Sequence, residues 1–139
     1  TVDDAYSAQV AFENGAMGVF EGSRIATGHK GGNDIEVYGT EGGFRFSLDR
    51  LNELEVWTAG SSGFERILVT EDDHPYMDAW WPTGHTIGWE HTFVHESYEF
   101  LTAIADGASY DPDFEAGLAV QGVIDAIERS DDTGSWVTT

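Results

Sequence analysis

The apolar residues of this chain change their spacing once, near Val69, and that change limits the possible folds more than any other feature. Before Val69, short segments alternate apolar and polar residues with a period of two, which is typical of β-strands. Beyond about residue 90, apolar residues recur every three or four positions, which is the period of an amphipathic helix. Strands followed by helices predict an α+β domain with two helices packed on one face of an open sheet.

Six segments in the first half are predicted strands, and short glycine-rich or polar connections join them. Short connections predict a mainly antiparallel sheet, because parallel strands need a longer crossover. Asn14-Gly15 predicts a tight primed turn between the first two strands, and residues 135–139 are a candidate for a final edge strand. The six predicted strands are residues 5–12, 17–26, 34–39, 44–48, 51–57 and 64–69.

A loop over residues 70–90 separates the strands from two predicted helices. Loops of this length inside compact domains are usually functional or disordered. The first helix is expected from about His91 to Ala105, and the second from a cap at Asp113 to about Ser130. The expected apolar faces are Phe93, Phe100, Leu101 and Ile104 in the first helix, and Ala116, Val120, Val123, Ile124 and Ile127 in the second.

The charge balance is extreme, with 26 Asp and Glu against six Lys and Arg and a net charge of −20. Such a surface repels nucleic acids and acidic membranes. The carboxylates are dispersed among periodic apolar residues, which favours a folded acidic domain over a disordered tail. This composition predicts a protein from a halophile, because multimolar salt screens the repulsion.

The length of 139 residues predicts a single domain, and the 40% hydrophobic content can form a core. The sequence contains neither an apolar run long enough to span a bilayer nor a signal peptide pattern, so we expect a cytoplasmic protein. The lack of cysteine excludes disulfides, thiolate zinc sites and cysteine nucleophiles. Because the chain begins T-V-D-D without an initiator methionine and Tyr6 already lies in a strand-like pattern, we expect it to be a piece of a longer protein.

Common cofactor and hydrolase motifs do not occur in the sequence. It has no G-x-G-x-x-G or P-loop pattern, and the pairs Gly31-Gly32 and Gly42-Gly43 lie between strands instead of before a helix. The G-x-S-x-G motif, which is typical of hydrolases, is also absent from the sequence. The chain is therefore expected to bind no dinucleotide by itself.

The segment W-W-P-T-G-H-T-I-G-W-E-H, residues 80–91, is the main candidate for a binding site. Aromatic walls with a few polar groups suit a sugar-like ligand, whose C–H faces stack on rings while its hydroxyls seek hydrogen bonds. His85 is the first candidate for substrate contact, since a neutral imidazole both donates and accepts, and Trp81 is the second, as a wall. The alternative is a structural connection in which these residues only cover the sheet end.

Other polar residues have weaker claims to a site. Arg24 lies on a strand that runs into a glycine-rich loop containing His29 and Lys30, where a donor or a cation could hold a hydroxylated or anionic substrate. Ion pairing of Arg24 and solvation of the other two are the alternatives. His91 and His95 are four residues apart and could reach one metal, but a solvated polar helix face is favoured, and no metal site is predicted.

Five segments in a fixed order resemble the C-terminal domain of the Gfo/Idh/MocA family of NAD(P)-dependent oxidoreductases. They are N-G-A-M-G-V-F-E-G-S-R, I-E-V-Y-G-T-E-G-G-F-R-F, W-P-T-G-H-T-I-G-W-E-H-T-F, F-L-T-A-I-A-D-G and P-D-F-E-A-G-L-A-V-Q-G-V-I-D-A-I-E-R-S. The resemblance extends from about Asp4 to Val137.

The resemblance implies that residues 1–139 form one C-terminal substrate-binding and oligomerisation domain, whose partner is an N-terminal Rossmann domain absent from this chain. It implies hydride transfer between NAD or NADP and a sugar, a cyclitol or a related polyhydroxy compound. In the family the dinucleotide fingerprint, an E-K-P lysine and a D-x-x-x-H pair precede this segment, and none of the three occurs here. The chain is therefore expected to shape a substrate site without holding catalytic groups or the cofactor.

Two other functions are compatible with the sequence. The full-length protein could use NAD transiently in a hydrolase, isomerase or dehydratase cycle, or the chain could be a noncatalytic ligand-binding or interaction domain. An upstream G-x-G-x-x-G followed by E-K-P would favour the enzyme. A homo-oligomer is also expected, because Tyr38, Trp57 and Phe20 predict a partly apolar second sheet face.

Overall fold

The computed structural model describes residues 2–139 and confirms the α+β fold class. All strand pairs in these residues are antiparallel, and their strands form one sheet of two and one sheet of four, in the orders β1-β2 and β3-β4-β5-β6. Each of the six predicted strands is present. The elements are β1 (Ala5–Ala11), β2 (Met17–Ser23), β3 (Asp34–Tyr38), β4 (Gly42–Ser47), β5 (Glu53–Thr58), β6 (Glu65–Leu68), α1 (Trp89–Asp106) and α2 (Phe114–Thr133), with short 3₁₀ helices at Leu48–Arg50 and Met77–Ala79.

The chain divides into two compact units. The hairpin unit contains the residues up to Gly28 together with Ser109–Thr139, and therefore holds β1, β2 and α2. The sheet unit is His29–Ala108 and holds the four-stranded sheet and α1. Within residues 2–139, neither helix has the length and apolar character needed to cross a membrane.

The turn between β1 and β2 differs from the predicted primed turn. Gly15 N–H donates to the Phe12 carbonyl at 2.9 Å, so Glu13 and Asn14 are the central residues, and only Gly15 has a positive φ, of 87°. The Asn14 side chain accepts a hydrogen bond from Ala16 N–H at 3.0 Å. A three-residue connection with a left-handed glycine therefore replaces the two-residue turn.

Glycines in β2 explain the irregular apolar pattern of that strand. Gly22 is paired with Tyr6, and a Cβ at Gly22 would lie only 2.5 Å from the Tyr6 ring. The Tyr6 ring thus lies over Gly22, where any side chain would collide with the ring. The strand ends at Ser23, earlier than predicted, where the Ser23 hydroxyl accepts a hydrogen bond from Ile25 N–H.

Helix α2 begins as predicted at Asp113, whose carboxylate accepts hydrogen bonds from Glu115 and Ala116 N–H at 2.9 and 3.0 Å. Ala126 is its most buried residue, at 7% exposure. Three predicted stripe residues are half-buried, but Val120 and Ile124 are exposed, because the buried stripe is centred on Ala126. The predicted edge strand at 135–139 was wrong: the helix continues to Thr133, and the segment after Gly134 has no strand partner among the described residues.

The two faces of the four-stranded sheet differ in chemistry. The register aligns apolar residues across all four strands on one face and Glu36, Arg45, Glu55 and Arg66 on the other. Arg45 forms an ion pair with Glu55 at 3.2 Å and lies 4.0 Å from the centre of the Phe64 ring. The apolar face consists of Ile35, Val37, Phe44, Phe46, Leu54, Val56 and Ile67, and Tyr38 and Trp57 lie on the charged face.

The prediction of which side of helix α1 is buried was wrong. The side with the histidines is half-buried, and the predicted apolar side is exposed. Its half-buried residues include His91, His95 and Ala103. The predicted apolar face is 48% to 62% exposed at Phe93, Phe100, Leu101 and Ile104.

Candidate functional site

The connection between β6 and α1, residues 69–88, contains the aromatic segment, and we refer to it as the aromatic loop. Two of its residues, Thr70 and Met77, are only 2% exposed and anchor it in the sheet unit. A 3₁₀ turn at Met77–Ala79 lies in its middle. The prediction of a long loop over this region is therefore confirmed, and the loop is tied to the sheet at defined positions.

Asn52 clamps the C-terminal end of the aromatic loop. It directly precedes β5, and its side-chain amide donates to the Ile87 carbonyl at 2.9 Å, while its Oδ1 accepts from Ile87 N–H at 3.1 Å. One side chain thus satisfies both backbone groups of a residue 35 positions away. Sequence analysis did not identify Asn52, because nothing in its local pattern distinguishes it from a turn residue.

The middle of the aromatic loop is held against α1 by a cluster of rings. Trp80 Nε1–H donates to His95 Nε2 at 2.7 Å. The Tyr76 ring stacks on His95, with centroids 4.4 Å apart and planes inclined by 20°. Trp80 also meets the His91 ring edge to face at 4.4 Å. We refer to Tyr76, Trp80, His91 and His95 as the ring cluster.

Tyr76 has a strained backbone within this cluster. Its φ of 67° is the only positive value at a non-glycine position in the described chain, and a left-handed conformation costs an L-residue about 1–2 kcal/mol. The hydroxyl of Tyr76 donates to Glu99 on α1 at 2.8 Å. The stacking and this hydrogen bond hold the residue in the costly conformation, which indicates a precisely positioned loop.

The structure contradicts the prediction that His91 and His95 lie on a solvated face. The His91 side chain is 12% exposed, and its Nδ1 accepts a hydrogen bond from Gly88 N–H at 3.0 Å. In return, His91 N–H donates to the Gly88 carbonyl at 3.1 Å, so the pair caps α1. Because Nδ1 of His91 and Nε2 of His95 both accept hydrogen bonds, these lone pairs are already used. No group of three metal-binding side chains occurs in residues 2–139.

The surroundings of His95 favour its neutral form. Burial lowers the pKa of His95, and the neighbouring His91 lowers it further. This agrees with the geometry, since only an unprotonated Nε2 can accept the indole N–H of Trp80.

His85 and Trp81, the two first candidates for substrate contact, both lie exposed on the aromatic loop. Trp81 is 49% exposed. His85 Nδ1 lies 2.7 Å from the Pro82 carbonyl oxygen, and a carbonyl can only accept, so Nδ1 carries the proton in this bond. In the neutral imidazole, Nε2 of His85 is consequently an acceptor that faces solvent.

The remaining candidates lie on other parts of the chain. Arg24 belongs to the hairpin unit, and its backbone N–H donates to the Asp4 carbonyl at 2.8 Å. His29 and Lys30 are in the sheet unit, in the connection before β3. All three are exposed, and within residues 2–139 none of their side chains has a hydrogen bond or ion pair.

The described residues do not fit a dinucleotide. A phosphate cradle needs a strand that leads through glycines into a helix N-terminus, whereas all strand pairs in residues 2–139 are antiparallel. Gly42 and Gly43 begin β4 inside a hairpin, and a Cβ at Gly43 would lie 2.7 Å from the Val37 carbonyl oxygen. Glycine here allows close strand packing.

Comparison with known proteins identifies the family. Residues 1–139 match the family model for the oxidoreductase family, C-terminal alpha/beta domain, GFO_IDH_MocA_C. The chain is 38% identical to a levoglucosan dehydrogenase of Pseudarthrobacter phenanthrenivorans, over 98% of this chain and 36% of that protein.

Solved structures give the same result. An oxidoreductase domain protein from Kribbella flavida matches with a TM-score of 0.94 and 43% identity, over 99% of this chain and 38% of that chain. A levoglucosan dehydrogenase in complex with NADH and levoglucosan matches with a TM-score of 0.91 and 37% identity, over 98% and 38%. The chain thus spans little more than a third of the length of these relatives. With a family model matched along all 139 residues, the chain belongs to the C-terminal alpha/beta domain of the Gfo/Idh/MocA oxidoreductase family.

Proposed function

We propose that this chain is the substrate-binding part of an NAD(P)-dependent dehydrogenase that oxidises a sugar, a cyclitol or a related polyhydroxy compound. The observation that carries the proposal is its similarity, over 98% of its length, to a levoglucosan dehydrogenase whose structure was solved with NADH and levoglucosan. NAD is the better supported cofactor, because that relative binds NADH. Hydride transfer itself would use groups outside this chain.

The aromatic loop is the proposed substrate wall. Trp81 would stack against the C–H face of a sugar ring, and Nε2 of His85 would accept a hydrogen bond from a hydroxyl. The bond from His85 Nδ1 to the Pro82 carbonyl supports this role, because it fixes the tautomer whose free nitrogen is an acceptor. His29, Lys30 and Arg24 remain weaker candidates, supported by their exposed polar groups.

Two substitutions at His85 separate binding from structure. In His85→Asn, the short amide can still donate to the Pro82 carbonyl, but the outward acceptor is lost. In His85→Gln, the longer amide restores an outward acceptor. With levoglucosan and NAD⁺ as probes of the full-length protein, we expect His85→Asn and His85→Ala to lower kcat/KM roughly fivefold to 150-fold, which corresponds to about 1–3 kcal/mol of lost transition-state stabilisation. His85→Gln should lower kcat/KM less.

The matched control is His74→Ala, since His74 lies on the same loop and its Nδ1 accepts only Glu71 N–H, at 3.0 Å. Its kinetic constants should stay close to those of the parent protein. If His85→Asn keeps full turnover while His85→Ala lowers the melting temperature by several degrees, the loop is a structural connection and the substrate role of His85 is wrong. An inactive parent protein would instead favour the noncatalytic alternative or another NAD-dependent cycle.

The partner surfaces are also proposals. The exposed apolar side of α1, which includes Phe93, Leu101 and Ile104, supports docking of the N-terminal Rossmann domain, because the surface of a monomer rarely exposes such a stripe. Exposed Ile35 on the apolar sheet face supports a homo-oligomer on the same grounds.

The acidic composition supports two further proposals. A net charge of −20 on 139 residues suits a halophile, in which salt screens the repulsion between carboxylates. A cytoplasm rich in salt is the corresponding location.

A further inference from the structure

The ring cluster uses two histidines in the same unusual way. His91 accepts a hydrogen bond from the backbone of Gly88, and His95 accepts one from the indole of Trp80. Each bond joins α1 to the aromatic loop, and each requires an imidazole nitrogen without a proton. The two contacts lie at the C-terminal end and in the middle of the loop, so together they fix its path along the helix.

We propose that His95 is a proton-operated latch, which holds the aromatic loop against α1 while its ring is neutral and releases it when the ring is protonated. Protonation of Nε2 turns His95 from an acceptor into a donor that faces the indole N–H, so the hydrogen bond becomes a clash of two donors. The proton comes from solvent and no other bond is made or broken.

The groups around His95 do not favour a charge on its ring. Within residues 2–139, no carboxylate forms an ion pair with His95: its neighbours are the uncharged rings of Tyr76 and Trp80 and the histidine one turn before it, and the carboxylate of Glu99 accepts from the Tyr76 hydroxyl. The nearest carboxylate oxygen to His91 is Glu90 Oε1, 3.9 Å from Nδ1. A protonated His95 therefore gains no ion pair, and the neighbouring His91 opposes its charge.

The direction of the pH effect follows from the lowered pKa of His95, which burial causes first and His91 second. Below the pH at which an exposed histidine titrates, about 6.5, the open state binds more protons than the closed state. The closed loop therefore has its full stability above that pH, and it loses stability as the pH falls towards the lower pKa that His95 has in the closed state. Tyr76 contributes to release, because its left-handed backbone relaxes once the stacking on His95 is lost.

The position of Trp80 reports directly on the latch. We would incorporate 5-fluorotryptophan into the full-length protein, identify the Trp80 fluorine resonance by its loss in Trp80→Phe, and titrate from about pH 8 to about pH 5. The Trp80 resonance should move once the pH falls below the value at which an exposed histidine titrates. His95→Gln keeps an acceptor for the indole and has no titratable ring, so its Trp80 resonance should stay near the high-pH position. In His95→Ala it should stay near the low-pH position throughout.

His74→Gln is the matched control, because His74 accepts from Glu71 N–H in the same loop. This variant should leave the Trp80 titration unchanged. A Trp80 resonance that does not move with pH, or one that titrates equally in His95→Gln, overturns the latch. Circular dichroism at each pH provides the second measurement: if global unfolding accompanies the shift, the loop does not open on its own and the proposal is wrong.

Only the effect on substrate rests on the proposed function. With levoglucosan and NAD⁺, release of the loop should raise KM at low pH in the parent protein, by roughly threefold to tenfold for one lost neutral hydrogen bond, with a smaller change in kcat. The rise should be absent in His95→Gln. If the protein oxidises no sugar while the fluorine titration behaves as expected, the latch stands and the proposed function fails.

Discussion

Replacing Asn52 by alanine tests how firmly the aromatic loop is held to the sheet. The substitution removes both hydrogen bonds to Ile87, at 2.9 and 3.1 Å, and leaves the N–H and carbonyl of Ile87 without these partners. Each partly buried neutral bond contributes about 0.5–1.5 kcal/mol, so we expect the closed loop to lose about 1–3 kcal/mol. In Asn52→Asp, one oxygen can still accept from Ile87 N–H, but the other faces the Ile87 carbonyl, so little is recovered.

Hydrogen exchange measures this loss where it occurs. In the full-length Asn52→Ala protein, the amide of Ile87 should exchange roughly fivefold to a hundredfold faster than in the parent protein, because local opening becomes easier by the same free energy. The exchange of β3 and β4 amides should change much less. Asn33→Ala is the matched control, since Asn33 lies in the same unit and its side chain is exposed. That variant should stay within about 0.5 kcal/mol of the parent.

An unchanged exchange rate at Ile87 in Asn52→Ala would refute the reasoning. It would mean that the ring cluster alone holds the loop and that the Asn52 bonds contribute nothing measurable. Faster exchange throughout the sheet unit would also contradict it, because the clamp would then support the whole unit instead of the loop.

Three further outcomes follow from charge, from the antiparallel topology and from the exposed apolar residues. The thermal midpoint should rise across a KCl series from low to molar salt, because the Debye length shrinks from roughly 30 Å at 0.01 M and screens the net charge of −20; a constant midpoint would remove the halophile proposal. Calorimetric titration of this chain with NADH or NADPH should show no binding, because the described residues form no phosphate cradle, and micromolar binding would overturn the domain assignment. Light scattering of the full-length protein in high salt should give a dimer or larger, whereas a strict monomer at high concentration would count against self-association through the sheet.

The sequence alone determined the elements of this chain. Alternation with a period of two predicted six strands, and the part of the chain that the structure describes contains six. The Asp113 cap fixed the start of α2, because an aspartate with free backbone N–H groups two and three residues later is a local arrangement. Local features were predictable where the decisive contact lies within a few residues. The predicted turn type at Asn14 was wrong because two turn types suit the same residues. The predicted strand at 135–139 was wrong because a strand needs a neighbouring strand to pair with.

Only the tertiary structure decided how the candidate site is held. Periodicity showed that His91 and His95 share one side of α1 and that Phe93 lies on another, but it could not show which side meets the aromatic loop. The preference for burying apolar residues predicted that the Phe93 side would be buried. In the structure the histidine side meets the loop instead, because Trp80 and Gly88 donate N–H hydrogen bonds to the two imidazoles. Asn52 and Ile87 are 35 residues apart, and their two hydrogen bonds exist only because the fold brings the start of β5 to the end of the loop. A sequence pattern specifies faces and caps, while the choice between faces depends on donors and acceptors that distant segments supply.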